Sequence, residues 1–198
     1  MVKNIRMLSQ ELVTPQFNKS KDLVAWMGAV QAQDIVMSKW AVGVRLKTPS
    51  LADIEQALAA GEIVRTHVLR PTWHMVAAED IRWMLALTGK RIKAACASWG
   101  KSYGVDEQLY PKCCKQLEKL LANGQHLTKT EIGERLMQEK AIENEVQMSC
   151  LLSLAEAEGL VCNGVERNKK HTYALLDERV PLCKELTKEE ALATLARK

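Results

Sequence analysis

Thr128-Lys129-Thr130-Glu131-Ile132, then Asn144-Glu145, then Gly159-Leu160-Val161-Cys162-Asn163-Gly164-Val165, then Glu166-Arg167-Asn168-Lys169-Lys170 and His171-Thr172-Tyr173-Ala174-Leu175-Leu176 follow one another along the chain. Each segment has a local physical meaning. Thr128 and Glu131 have the Thr-x-x-Glu spacing of a capping box, in which each side chain satisfies a backbone N–H at a helix start. Ile132, Leu136 and Met137 continue that helix. Asn144 caps a second helix with Met148, Leu151, Leu152 and Ala155 at core spacing, and Gly159 ends it. Two strand-like segments then flank a basic tip, the pattern of a hairpin. A helix from about Glu107 to Leu121, with Leu109, Cys113, Leu117 and Leu120 apolar and Gly124 as breaker, precedes all of this. Three helices followed by a hairpin with a basic tip is the order of a winged helix-turn-helix.

The same order reads outward toward the N-terminus. A helix over Ser20 to Val30 places Leu23, Val24, Met27 and Val30 on one side. Asp34 caps a second helix through Ile35, Trp40, Ala41 and Val44, and Ser50 with Asp53 opens a third that stops at Gly61. Glu62 to Arg70, a turn at Pro71 and Thr72 to Val76 then read as a second hairpin. A long helix from about Ala78 to Ser98 follows, and Gly100 to Gly104 is the best internal boundary. The expected fold is mainly α with short β-hairpins, built as tandem winged helix-turn-helix units. The first spans residues 1–104 with its long connecting helix and the second 105–182, while 183–198 begin a capped helix that leads to a missing or absent C-terminal region.

With 198 residues, 47% of them hydrophobic, the chain suffices for one sizeable core or two small ones packed together. The balance of 28 Lys+Arg against 24 Asp+Glu, a net +4, permits a polyanionic partner without demanding one. The six cysteines contain no Cys-x-x-Cys pair, and the adjacent Cys113 and Cys114 fit neither a zinc site nor a secreted disulfide framework. No apolar run reaches the length of a membrane span. A cytoplasmic monomer, without membrane attachment, cofactor or metal, is the expectation.

Three groups of residues have the composition to carry chemistry. The tip residues Arg167, Lys169 and Lys170 suit phosphate contacts, or else form a solvated turn. The recognition-helix position from Glu143 to Gly159 has no Lys or Arg but has Glu143, Glu145, Glu156 and Glu158, so arginine-to-guanine readout is impossible there. Gln31-Ala32-Gln33-Asp34 sits between two helices: the glutamines point about 200° apart in a continuous helix but converge if the chain breaks at the Asp34 cap. Solvated amides at a capped junction are the plain alternative. The hairpin from Arg65 to His74 is dense in functional side chains, with Thr66, Val68 and Arg70 on one face and Arg65, His67 and Leu69 on the other. Its plain alternative is an exposed edge strand kept soluble by charge. His67, His74, His126 and His171 are divided between the two units and read as core or surface residues rather than metal ligands. Trp26, Trp40, Trp73, Trp83 and Trp99 read as core and interdomain packing, with Trp73 also placed to stack on a base.

Taken together, Gly28 to Asp34, Arg65 to Val76 with Ala78 to Trp83, and Tyr173 to Pro181 resemble the AlkZ-like family of bacterial winged-helix proteins, DNA glycosylases that remove alkylated bases and unhook interstrand crosslinks. The resemblance covers nearly the whole chain in the same order. It implies a duplex DNA partner and a catalytic Gln-x-Gln, matched by Gln31 and Gln33, whereas a sister branch has Asp at the second position. It also implies that Arg65, Arg70, Thr72 and His74 hold the phosphate backbone or the lesion, in an open groove, since crosslinked bases cannot swing out fully. Pro71 departs from members with glycine there, and members continue into a further winged helix and a β-rich region beyond where this sequence stops. A glutamine amide is no general base, but an N7-alkylated purine is already cationic and needs only a positioned water and a stabilised oxocarbenium-like sugar. A non-catalytic DNA-binding regulator and a protein-interaction module, the latter suggested by the acidic helix, are the competing readings.

Overall fold

A computed structural model of the chain describes residues 2–106, 108–183 and 185–198. Its first half opens with α1 (Val2–Leu8) and α2 (Ser20–Met27). The helix ends three residues before the expected Val30, because Gly28 has φ +72, a left-handed conformation that costs glycine little. The freed residues form a short strand, β1 (Val30–Gln31), before α3 (Ile35–Gly43). Asp34 caps α3 by accepting the Val36 and Met37 N–H groups at 2.9 and 3.0 Å. In α4 (Leu51–Ala60) the Ser50 hydroxyl accepts the Asp53 N–H at 3.1 Å, and Gly61 closes the helix in the left-handed conformation. The Asp53 carboxylate does not complete a capping box; it reaches back to the Ser20 N–H at 2.8 Å.

β2 (Ile63–His67) and β3 (Trp73–Ala77) form the expected hairpin, and β1 adds to the far side of β3, giving an antiparallel sheet of order β1-β3-β2. β2 is buried along its whole length, so the plain alternative of an exposed, charge-solubilised edge strand does not hold. The edge is covered by the second half of the chain: the Arg65 N–H donates to Asn163 Oδ1 at 2.7 Å. Covering an edge in this way satisfies backbone groups that would otherwise template aggregation.

The 24-residue helix α5 (Ala78–Lys101) leads to the second half. The helix expected near Glu107 is α6 (Leu109–Leu121); Glu107 itself lies outside the described residues. β4 (Leu127–Thr128) and α7 (Lys129–Gln138) follow, with the Thr128–Glu131 capping box formed reciprocally. α8 (Glu145–Ala157) is capped by Asn144, and β5 (Val161–Asn163) and β6 (Thr172–Leu175) make the second hairpin. The second sheet has the order β4-β6-β5, repeating the first. Described residues close with α9 (Leu176–Arg179) and α10 (Lys188–Arg197), whose Thr187–Glu190 capping box also forms. The architecture is mainly helical with two small antiparallel sheets.

Three clusters hold it together. Leu23, Val24, Ile54, Ile63 and Met75 fill the first half; Leu117, Ile132, Leu136, Leu151 and Tyr173 fill the second. Val64, Val76, Ile81, Met84, Cys162 and Leu176 join the two through α5. Side chains of this size each contribute about 1.5–3 kcal/mol when fully buried. α5 and α8 pack so closely that a Cβ at Gly89 would lie 2.6 Å from the Ala157 carbonyl oxygen, a contact only glycine tolerates. α10 lies against α5 with Ala191 buried, and Lys198 Nζ pairs with the buried Asp80 carboxylate at 2.8 Å.

Candidate functional site

The glutamine pair takes its geometry from β1. Gln31 stands opposite His74, and His74 opposite Thr66, so the three form one row across the sheet on the same face. The chain leaves the strand after Gln31 and bends at Gln33 and Asp34 before α3, so it is not a continuous helix here. The break at the Asp34 cap, the condition under which the two glutamines could converge, is present. The ladder continues past β1, the Ala32 N–H donating to the Trp73 carbonyl at 2.8 Å. At the next step a side chain replaces the backbone: Gln33 Oε1 accepts the Trp73 N–H at 3.0 Å. This fixes one end of the Gln33 amide and leaves its Nε2 hydrogens and a second oxygen lone pair facing outward. Both glutamines are exposed.

His74 is buried beside them, 5% exposed. Its Nδ1 lies 2.9 Å from the Thr72 carbonyl, which assigns the proton to Nδ1 and leaves Nε2 as an acceptor. Burial pushes its pKa below the ordinary histidine value, the Thr72 carbonyl opposing and Arg70 and His67 adding to the effect, so the ring is neutral at pH 7. Among the described residues no partner meets the buried Thr66 or Thr72 hydroxyl oxygen.

Arg65 is not free for a phosphate. It is 6% exposed, with Nε donating to the Ala32 carbonyl at 2.8 Å, Nη2 3.4 Å from the Gln33 carbonyl, and Cζ 4.2 Å from the centre of the Trp73 ring. It supports the glutamine segment from behind. Arg70, by contrast, is exposed at the apex of the β2–β3 loop, beside Leu69 at φ +64.

The second hairpin tip turns through Asn168 (φ 51) and Lys169 (φ 61), with Arg167 and Lys170 exchanging backbone hydrogen bonds of 3.1 and 2.9 Å. Two successive positive φ values are the signature of a type I′ turn. Arg167 is ion-paired with Glu131, the capping-box residue, while Lys169 and Lys170 are exposed.

The expected recognition helix, α8, buries one of its four glutamates: Glu143, Glu145 and Glu158 are exposed at or beside its ends. Met148, Cys150, Leu151, Leu154 and Ala155 are buried, and Glu156 is 0% exposed. Its carboxylate accepts the Trp73 Nε1–H, 3.2 Å from both oxygens, and lies 2.5 Å from His67 Nδ1. The helix packs against α5 and β2 and ties the halves together. The assignment of the histidines to separate units was likewise a matter of sequence distance only. His67 and His171 flank Trp73, with ring centres 4.9 and 6.2 Å away, and His171 meets Tyr173 edge-on at 4.6 Å. Burial, with Arg65 nearby, pushes the His171 pKa down to about 4. Among the described residues no group of three or more His, Cys, Asp or Glu has the geometry to hold a metal ion.

Of the tryptophans expected in the core, Trp83 is buried, but Trp40 is 62% exposed and shares the outer face of α3 with Val36 and Met37. All six cysteines are free thiols, and burial pushes Cys113 and Cys162 up to about 11 and about 12. A cleft of ≈ 370 Å³ opens between the halves, lined in part by Lys39, Arg65, Asn163, Lys169 and His171 and not by either glutamine. Among the described residues no helix is long and apolar enough to cross a membrane.

Sequence reasoning missed Glu156, Asn163 and both two-residue strands. Gly28 followed by β-branched Val30 was the available signal for β1; a single buried carboxylate on an apolar helix gives none.

Comparison with known proteins places these features in a family. The interstrand DNA cross-link repair glycosylase of Streptomyces sahachiroi is 26% identical over 178 residues, 85% of this chain and 47% of that protein. The solved structure of Streptomyces sahachiroi DNA glycosylase AlkZ superposes with a TM-score of 0.80 at 22% identity, covering 97% of this chain and 54% of that one. The chain thus spans about half the length of the relatives it matches. The family described as DNA glycosylase AlkZ-like matches residues 24–198, and the chain belongs to that family.

Proposed function

We propose that this chain binds duplex DNA through two tandem winged-helix units, residues 1–104 and 105–182, and that its outward glutamines hydrolyse the N-glycosidic bond of alkylated or crosslinked purines. The repeated order of helices and three-stranded sheet supports the winged-helix reading. The observation that carries the catalytic reading is the Gln33 amide, whose oxygen accepts the Trp73 N–H while the residue stays exposed, two residues from the exposed Gln31.

The chemistry follows from what amides do. In an N7-alkylpurine the C1′–N9 electron pair moves into the cationic base, which leaves neutral. Water bonds to C1′ and releases a proton to solvent, because no amide accepts it at neutral pH. Gln31 and Gln33 carbonyl oxygens accept the water's hydrogens and face the developing positive charge on the sugar, and fixed dipoles of this kind lower the barrier without reorganising. Arg70, Lys169 and Lys170 contact phosphates, adding salt-dependent affinity but no sequence reading. Arg65 acts from beneath the surface, holding the Ala32 and Gln33 carbonyls, and His74 lies opposite Gln31 in the sheet. A sequence-specific regulator lacks support, since α8 is buried and has no cation to enter a groove.

The test is release of 7-methylguanine from methylated duplex DNA, by this chain and by any longer natural form that contains it. Gln33→Ala is expected to lower the rate by roughly 10²–10³-fold, the usual effect of removing one preorganised dipole. Equal rates for the two proteins overturn the assignment.

A further inference from the structure

We propose that Glu156, on α8 in the second half of the chain, is a positioning residue for Gln33, acting through the indole of Trp73. The inference rests on the role given to Gln33 above. A carboxylate with no solvent exposure persists only where donors compensate it, and Glu156 has two, Trp73 Nε1–H and His67 Nδ1. His67 and Trp73 are directly opposite in the β2–β3 register, so one carboxylate fixes a cross-strand pair.

Trp73 is also the residue that fixes the glutamine segment. Its carbonyl accepts the Ala32 N–H, its N–H donates to Gln33 Oε1, and its ring lies under the Arg65 guanidinium that binds the Ala32 and Gln33 carbonyls. The backbone and the side chain of Gln33 thus both depend on where Trp73 sits. Cohesion of the halves alone would require Glu156 to bind any strand of the first half. Here it binds the indole of the one residue whose main-chain N–H orients the Gln33 amide, across a sequence separation of 83 residues. Without that anchor Gln33 regains three rotatable bonds, and a misplaced reacting group lowers rate more than binding.

The test uses Trp73→Phe, which keeps an aromatic ring and the main-chain N–H but deletes Nε1–H, together with Glu156→Gln and Glu156→Ala. The first readout needs no activity: the side-chain amide cross-peaks of Gln33 in a 15N–1H spectrum, assigned by their loss in Gln33→Ala. They are expected to move in Trp73→Phe and Glu156→Ala and to move least in Glu156→Gln, which retains one acceptor. Unchanged Gln33 peaks in a folded Trp73→Phe protein overturn the proposal. Should Glu156→Ala fail to fold, Trp73→Phe decides alone. The second readout is single-turnover base release. Trp73→Phe is expected to lower the maximal rate about tenfold with half-saturation within about twofold, and to add no loss in a Gln33→Ala background. Losses that add in full overturn it. Absence of base release in every protein defeats the functional reading of Gln33, while the amide peaks still decide whether Glu156 positions it.

Discussion

The two halves of the molecule repeat one plan and diverge at one junction. In the second half the first strand of the sheet runs straight into a helix: Thr128 ends β4, faces Thr172, and caps α7 through its own hydroxyl. In the first half the corresponding residue is Gln31, which ends β1 and faces His74, but three residues, Ala32, Gln33 and Asp34, intervene before α3. Asp34 does the capping. Gln31 is thereby relieved of a structural duty, and the extra step provides the place for Gln33. The same scaffold yields a sealed junction in one copy and an exposed pair of amides in the other. On the proposed reading, the catalytic pair depends on a short insertion between strand and helix.

The largest expected effect comes from erasing that difference. Gln31→Thr, which gives the first half the residue of the second, is expected to lower base release on the order of 10²-fold, measured as 7-methylguanine release, while far-UV circular dichroism and Tm stay unchanged because Gln31 is exposed. The next effect is on pH stability. His171 titrates near 4 in the folded chain against about 6.5 unfolded, so the unfolded state binds the proton first as pH falls. Its contribution is complete above about pH 6.5 and is lost down to about pH 4, on the order of 3 kcal/mol. Urea unfolding across that window should show the slope, and His171→Phe should flatten it.

Removing either cap sharpens the comparison at smaller scale. Thr128→Ala and Asp34→Ala are each expected to cost about 1 kcal/mol in chemical denaturation. Asp34→Ala should also reduce base release, since it frees the segment holding Gln33, whereas Thr128→Ala should not. The smallest effect lies at the basic tip: Lys169→Gly relieves a left-handed φ of 61 and is expected to stabilise by roughly 0.5–1 kcal/mol. The same variant should reduce the salt dependence of duplex binding by about one unit of slope.

Apart from Gly28, which ends α2 before the expected Val30, the helix limits were legible in the sequence where a capping side chain or a closing glycine marked them. Asp34, Ser50, Gly61, Thr128 with Glu131, Asn144 and Gly159 all act locally, and local chemistry is what a linear reading detects. The two hairpins were legible from alternation and turn residues. β1 and β4 were not, since a two-residue strand has no period and exists only through its partner. Gln31 and Gln33 stood out as a polar pair at a helix junction and took a catalytic role from family resemblance, whereas the bond from the Trp73 N–H to Gln33 was not legible. The burial of Arg65, His67 and Glu156 was invisible for a related reason: a charged residue reads as surface until its partner is known, and His67 and Glu156 are 89 residues apart.

The most direct measurement is single-turnover release of 7-methylguanine from methylated duplex DNA by the unsubstituted chain, Gln31→Ala, Gln33→Ala and Thr128→Ala, all below their unfolding temperatures. The account predicts that both glutamine variants lose roughly 10²-fold or more in rate while Thr128→Ala matches the unsubstituted chain. Equal rates in all four proteins, or a loss confined to Thr128→Ala, would contradict it.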